Sequence, residues 1–242
     1  NSYNTALIRG TGYVGGIAGE SNAPIYYCYN TGDLYSTGAY NGGIVGLGSS
    51  RISECFNTGI VKGTGTYNGG ILGMSSGADV EDCFYLKDGV SYIGIGSSRN
   101  DLSYMTAPAT AEEFASGKIA YQLQSLNTEP VWGQSCNQTG GHPILDSTGF
   151  YSVSKIGNTD TYMISGIGDT NSDGVVNTQD YQALINKILA DDHEQIETAE
   201  YGDLKKYDFV GDGYLDVLDA HAMHLVINGF TNVDVYAVGD YN

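Results

Sequence analysis

A five-residue unit returns at a fixed interval along the first part of this 242-residue chain. Gly15-Gly16-Ile17-Ala18-Gly19 recurs as Gly42-Gly43-Ile44-Val45-Gly46 and again as Gly69-Gly70-Ile71-Leu72-Gly73, two steps of 27 residues. Cys28 recurs as Cys55 after 27 residues and as Cys83 after 28, and Tyr29-Asn30-Thr31-Gly32 recurs as Phe56-Asn57-Thr58-Gly59. Three features holding one phase at this period mean stacked coils, since so small a unit buries an apolar face only against its neighbours. The segments between the glycines, such as residues 25–29 and 52–56, are short, apolar and rich in β-formers, which makes them strands bounded by turns. The expected fold over residues 1–100 is a β-solenoid with strands about 4.8 Å apart. Equivalent residues should then form ladders, with the three cysteines in one and Asn30 and Asn57 at a corner in another. Glycine is expected to supply both the φ > 0 corners and the close backbone approaches. Tyr3-Asn4-Thr5 fits the register of Tyr29-Asn30-Thr31 with Ser2 in the cysteine slot, so further repeats are expected upstream of Asn1.

The repeat fades after Tyr85, where the corner Asn is lost. A solenoid end carries unpaired strand edges that need covering. Thr110 with Glu113 three residues on is a capping box, and Phe114, Ile119, Leu123 and Leu126 follow at approximately helical spacing. A small α cap is therefore predicted within residues 101–148, with Trp132, Pro143, Ile144 and Leu145 adding apolar bulk.

Charge separates the rear of the chain from the front. Residues 1–150 hold 6 Lys/Arg and 12 Asp/Glu, a net of −6, while the remaining 92 hold 4 and 16, a net of −12. Glycine runs the other way, with 21 of 35 in residues 1–100. The total of −18 argues against nucleic acid and anionic membranes, both of which need Lys/Arg to replace counterions. No apolar run approaches the roughly 20 residues that span a bilayer.

Two segments of the acidic rear have the spacing of a twelve-residue EF-hand-type loop. In residues 169–180, oxygens come from Asp169, Asn171, Asp173, the Val175 carbonyl, Asn177 and Asp180, with Gly174 at the sharp turn. In residues 208–219 they come from Asp208, Asp212, the Tyr214 carbonyl, Asp216 and Asp219, with Gly213 at the turn. A hard cation that takes six to eight oxygens fits both, so two calcium ions are expected. Val210 leaves position 3 of the second loop without a side-chain oxygen, and that site should be the weaker. Each loop leads into an apolar helix: Tyr181, Leu184, Ile185, Ile188 and Leu189 after the first, and Ala220, Met223, Leu225, Val226 and Ile227 after the second. Val176 and Leu215, both at loop position 8, are expected in the core between them.

Two resemblances follow from these residues. Gly-Gly-Ile-x-Gly followed by Cys-(Tyr/Phe)-Asn-Thr-Gly resembles the GLUG repeat of bacterial surface proteins over roughly residues 1–95. That family implies a secreted or surface location and offers no catalytic residues to carry over. The loop–helix, linker, loop–helix order over about residues 167–230, with its opening from Gly168 to Asn177, resembles a dockerin. This second resemblance implies calcium-dependent binding to a cohesin module of a scaffoldin or cell-surface protein in a cellulosome-like complex. Family contacts carried onto this chain fall on Thr178, Gln179, Ile185 and Asn186 in the first repeat and on Val217, Leu218, His224 and Leu225 in the second. Because one set is mostly polar and the other mostly apolar, one docking orientation is expected, centred on Val217, Leu218 and Leu225; placement of Leu218 and Leu225 in the core is the alternative.

The fold class expected is thus mixed: a β-solenoid over 1–100, a cap or linker region with short helices over 101–148, and a small all-α dockerin with flanking strands over 149–242. Residues 150–153 and 233–238 alternate like strands and bracket the module, placed either to pair and clasp its ends or to dock it on the solenoid. The fragment is expected to be a non-catalytic, secreted, extracellular module, its solenoid serving as spacer or adhesive surface. The alternative is a polysaccharide-binding or polysaccharide-degrading solenoid, with Tyr26, Tyr27 and Tyr35 leaving carbohydrate binding open. The three repeat cysteines are expected as buried free thiols, and Cys136 has no evident partner. No Cys/His spacing suits zinc. Asp79, Glu81 and Asp82 read as a solvent-facing edge rather than glycosidase carboxylates, and His221 and His224 as part of the docking face.

Overall fold

The computed structural model of the chain describes residues 1–97, 106–134, 141–147, 151–156, 158–164, 166, 168–171, 176–190, 206–209 and 214–228. Contacts divide the chain into two units, Asn1–Phe114 and Ala115–Asn242.

In the first unit every strand pair among the described residues is parallel and joins successive coils, giving a β-solenoid of about four turns. One side of the stack is a five-stranded sheet ordered Ser2–Asn4, Cys28–Asn30, Phe56–Asn57, Cys83–Leu86, Thr106–Ala109. Its register sets Ser2 beside Cys28, Tyr3 beside Tyr29 and Asn4 beside Asn30, then Phe56 and Asn57 in the same two rows. A second side joins Ile8–Gly10, Leu34–Ser36 and Val61–Gly63, and a third joins Ile25–Tyr26, Ile52–Ser53 and Val80–Glu81. The fourth carries the Gly-Gly-Ile motifs around Tyr67–Ser75. Inside lie Ile44, Val45, Ile52, Ile71, Leu72 and Val80 with the three thiols.

Ladders convert the sequence period into energy. Asn4 Nδ2 donates to Asn30 Oδ1 and Asn30 Nδ2 to Asn57 Oδ1, each at 2.7 Å, and each of the three also donates to its own turn, at the carbonyls of Ala6, Gly32 and Gly59. Asn30 and Asn57 are fully buried, so these bonds satisfy amides that would otherwise be costly to bury. A second ladder, which sequence did not reveal, runs from Asn41 Nδ2 to Asn68 Oδ1 at 2.9 Å. The preceding coil has Val14 in that row, and Asn41 Oδ1 is left without a partner. Aromatic rows run alongside: Tyr3, Tyr29 and Phe56 stack at 5.0 and 4.9 Å with their ring planes nearly parallel.

The thiols of Cys28, Cys55 and Cys83 are free and buried. The hydrogen-bonded Cys55 neighbour, and then burial, push the Cys28 thiol far up, and burial first of all does the same for Cys55. Both thiols therefore pack as neutral groups.

Glycine plays a narrower part than expected. The coil corner with positive φ is occupied by Tyr27, Glu54 and Asp82, at φ of 54°, 52° and 50°, one residue before each cysteine. The motif glycines instead admit close backbone approach. A Cβ on Gly16 or Gly43 would lie 2.2 or 2.0 Å from the carbonyl oxygen of the next coil and within 2.6 Å of Asn30 or Asn57. This contact is why the Gly-Gly-Ile and Asn-Thr-Gly motifs share one phase. A left-handed backbone costs an L-residue roughly 1–2 kcal/mol, of which part is offset by the unfolded-state entropy of glycine. Asp82→Gly, at an exposed corner, should stabilise the first unit by about 0.5–1 kcal/mol. Chemical denaturation of the full chain checks this.

The stack ends on a blunted edge. Thr106–Ala109 is the outer strand, and Pro108 in it has no N–H to offer a further coil. The capping box forms as the sequence indicated: the Glu113 amide donates to Thr110 Oγ1 at 3.1 Å and the Thr110 amide to Glu113 Oε2 at 2.9 Å. It opens α1 (Ala111–Ala115), which sets the Phe114 ring 5.6 Å from that of Phe56.

In the second unit α2 (Lys118–Gln124) lies beside two antiparallel strand pairs, Trp132–Gly133 with Ile144–Leu145 and Val153–Lys155 with Tyr162–Ile164. Gln124 Oε1 accepts from the amides of Val131 and Trp132. Val153, one of the flanking residues expected to pair with 233–238, pairs with Ile164; residues 148–150 and 229–242 lie outside the described residues, as does Cys136. Two longer helices follow, α3 (Thr178–Ala190) and α4 (Val217–Ile227), packed on each other.

Candidate functional site

The two loop–helix segments are built alike. In the first, Asn177 Oδ1 accepts from the Gln179 amide at 2.7 Å, and the Asn177 amide donates to Asp180 Oδ2 at 2.9 Å. In the second, Asp216 Oδ1 accepts from the Leu218 amide at 2.7 Å, and the Asp216 amide donates to Asp219 Oδ2 at 2.9 Å. Loop position 9 is thus the N-cap of the following helix, and position 12 is its third residue reaching back, a capping box closed by Asp. The signal was present in the sequence as Asn177-x-x-Asp180 and Asp216-x-x-Asp219, overlaid on the loop spacing.

Asp180 also ties the start of its loop to the end. Its Oδ1 accepts from the Asn171 amide at 3.1 Å and from the Thr170 hydroxyl at 3.2 Å. Thr170, at loop position 2, has no part in the ligand spacing and was missed for that reason. The loops and helices share one core, in which Leu184, Leu215, Ala220 and Met223 are buried and Val176, Tyr181, Ile185 and Phe209 pack against them. Val176 and Leu215 both lie in this cluster. Gly168, at φ +91°, fits where a Cβ would meet the Phe209 ring at 2.6 Å, and its amide donates to the Lys206 carbonyl at 2.8 Å. The first loop is thereby fastened to the approach of the second.

The carboxylates sit where bare charge is costly. Asp169, Asp180, Asp208 and Asp219, positions 1 and 12 of the two loops, are 1%, 0%, 3% and 1% exposed. Burying an anion is strongly unfavourable unless a cation or hydrogen bonds compensate it. An all-oxygen donor set of buried carboxylates suits a hard divalent cation such as Ca²⁺. Asn171, Asn177, Asp216 and Tyr214 are also among the described residues, whereas Asp173, Val175 and Asp212 lie outside them. Among the described residues no three His, Cys, Asp or Glu side chains gather at one point.

The carried-over contact residues divide by exposure. Thr178, Gln179 and Asn186 are exposed on α3, and Asn186 Oδ1 accepts from Gln182 Nε2 at 3.1 Å. Ile185 is half-buried and packs against the shared core. On α4, Val217 is 70% exposed, and Leu218 and Leu225 are half-buried outside the core cluster. His224 is exposed, and its ring lies 5.4 Å from that of Tyr181 on α3.

No helix among the described residues is long and apolar enough to cross a membrane. No curated protein and no solved structure matches the chain. Residues 167–232, the segment holding both loop–helix repeats, match the dockerin type I domain family.

Proposed function

We propose that this chain is a secreted, non-catalytic module in which the 167–232 segment binds a cohesin of a scaffoldin or cell-surface protein, in a calcium-dependent manner. The solenoid, which resembles a GLUG-repeat region, serves as a spacer or adhesive surface. The observation that carries the reading is the duplicated loop–helix unit, with matching cap bonds and four buried carboxylates, inside the segment that matches the dockerin type I family. Bound Ca²⁺ would neutralise the buried carboxylates. Asp169, Asn171, Asp173, the Val175 carbonyl, Asn177 and Asp180 would hold one ion, and Asp208, Asp212, the Tyr214 carbonyl, Asp216 and Asp219 a second, weaker one. The protein's own part is to fasten loop to helix: Asp180 and Asp219 are at once loop residues and helix residues, so ordering a loop orients its helix. Val217, Leu218 and Leu225 then present apolar surface for a partner, in the manner of a compact hot spot.

Leu218→Asp tests the docking face. Cohesin binding should weaken at least 100-fold, roughly 3 kcal/mol for a buried interface anchor, with far-UV helicity unchanged. Loss of helicity in the variant would return Leu218 to the core and remove the proposed face.

A further inference from the structure

The front of the chain carries few cations, and two of them sit on one face. Residues 1–97 contain Arg9, Arg51, Lys62 and Lys87 as their only Lys/Arg. Arg51 is paired with Glu81. Arg9 and Lys62 are exposed and lie in register on either side of Tyr35, one coil away each. The Arg9 guanidinium carbon is 5.0 Å from the centre of the Tyr35 ring and Lys62 Nζ is 5.2 Å from it, and Lys62 Nζ also donates to Tyr35 Oη at 3.4 Å. No strand of this three-stranded sheet contains an acid. Asp33, just before it, has its carboxylate held by the Ile60 amide at 2.9 Å.

These side chains line an open depression of about 550 Å³ together with exposed Thr11, Thr37 and Thr64, again one per coil. A second depression of about 570 Å³ shares Lys62 and extends the surface along the stack towards Tyr92. The result is a track parallel to the solenoid axis, with a row of cation, phenol and cation beside a row of hydroxyls.

We propose that this track binds a carboxylate-bearing polysaccharide, a uronan, laid along the solenoid axis. Arg9 and Lys62 flank the Tyr35 ring from the two neighbouring coils, Lys62 on the side of the hydroxyl, so the phenol is engaged by cations rather than left as an open platform for stacking a neutral sugar. What projects outward is a guanidinium fork, an ammonium and hydroxyls, which suit carboxylates and sugar hydroxyls together. The coil spacing of about 4.8 Å lets successive sugar residues meet equivalent side chains. An acidic peptide is the less suitable occupant, because the coil backbones already pair with one another and leave it no main-chain partner.

The test is binding of the full chain to polygalacturonate at low ionic strength, in chelator, so that Ca²⁺ bridging between the polymer and the acidic rear contributes nothing. Binding should be present, should be lost on the methyl-esterified polymer, and should weaken about tenfold or more in R9A/K62A, as for loss of charge-assisted hydrogen bonds. Lys87→Ala, which removes a cation elsewhere on the solenoid, should leave it unchanged, and unaltered unfolding temperatures would show that both variants fold. Absence of binding to polygalacturonate, equal binding by the double variant, or poly-glutamate binding as tightly as the uronan would each overturn the proposal.

Discussion

Gly43→Ala should cost the solenoid more than 4 kcal/mol, among the largest effects open to one added methyl group. A Cβ there would sit 2.0 Å from the Gly70 carbonyl oxygen and 2.4 Å from Asn57 Cγ, both of which are held by the coil stack. Asn57→Ala should itself cost about 3 kcal/mol. It removes the acceptor for Asn30 Nδ2 and the donor to the Gly59 carbonyl, both buried, at roughly 1–3 kcal/mol for each group left without a partner. Asn4→Ala, on a partly exposed rung of the ladder, should cost only about 1 kcal/mol in this chain. Combining Gly43→Ala with Asn57→Ala should bring no rescue, because the clash with the Gly70 carbonyl persists. Denaturant unfolding of the full chain reads all four variants. Full rescue in the double variant would show that the glycine is there for the asparagine alone, and not for the backbone of the next coil.

The second large effect lies in the loops. Asp180→Ala should weaken Ca²⁺ binding at the first loop at least 100-fold and leave α3 poorly formed at any practical calcium level. The side chain is both a buried carboxylate and the acceptor for Asn171, Thr170 and Asn177. Asp180→Asn separates the two duties, since the amide oxygen keeps one acceptor position while the charge is removed. If the carboxylate serves a cation, D180N should lose the calcium-induced gain in helicity nearly as completely as D180A. A D180N chain with unchanged calcium response would reduce Asp180 to a helix cap. Titration of chelated protein with Ca²⁺, followed by circular dichroism, distinguishes the outcomes.

How much of this was legible in the sequence depends on whether a residue's role is written in its type. The coil stack was, because a 27-residue period with Asn and Cys in fixed phase admits few other folds. The Asn4–Asn30–Asn57 ladder and the Ser2–Cys28 pairing followed from register alone. The Asn41–Asn68 ladder did not, because Val14 interrupts its row and only one step of the period remains. Glycine does take a positive φ at Gly77 and Gly89, but the left-handed corner before each cysteine was not foreseen. Tyr27, Glu54 and Asp82 are not of one residue type, none is glycine or asparagine, and only their common position before a cysteine marks all three. At the rear, the loop spacing was legible since calcium-type loops demand oxygens at set positions. Ile185 was read as a contact residue from family position, while its packing against the core shared by the two helices depends on how they cross, which the sequence does not encode locally. Thr170 and the Asp-closed capping boxes connect loop to helix through hydrogen bonds that no ligand spacing specifies.

The central claim is that the 167–232 segment docks the chain onto a cohesin, and that calcium is needed to form the docking surface. Titration of the full chain against a panel of cohesins by calorimetry, with Ca²⁺, then with chelator, then with Ca²⁺ restored, tests it most directly. The expected result is tight binding to at least one cohesin, its loss on chelation and its return with calcium. Binding to no cohesin, or binding that survives chelation, would contradict the account.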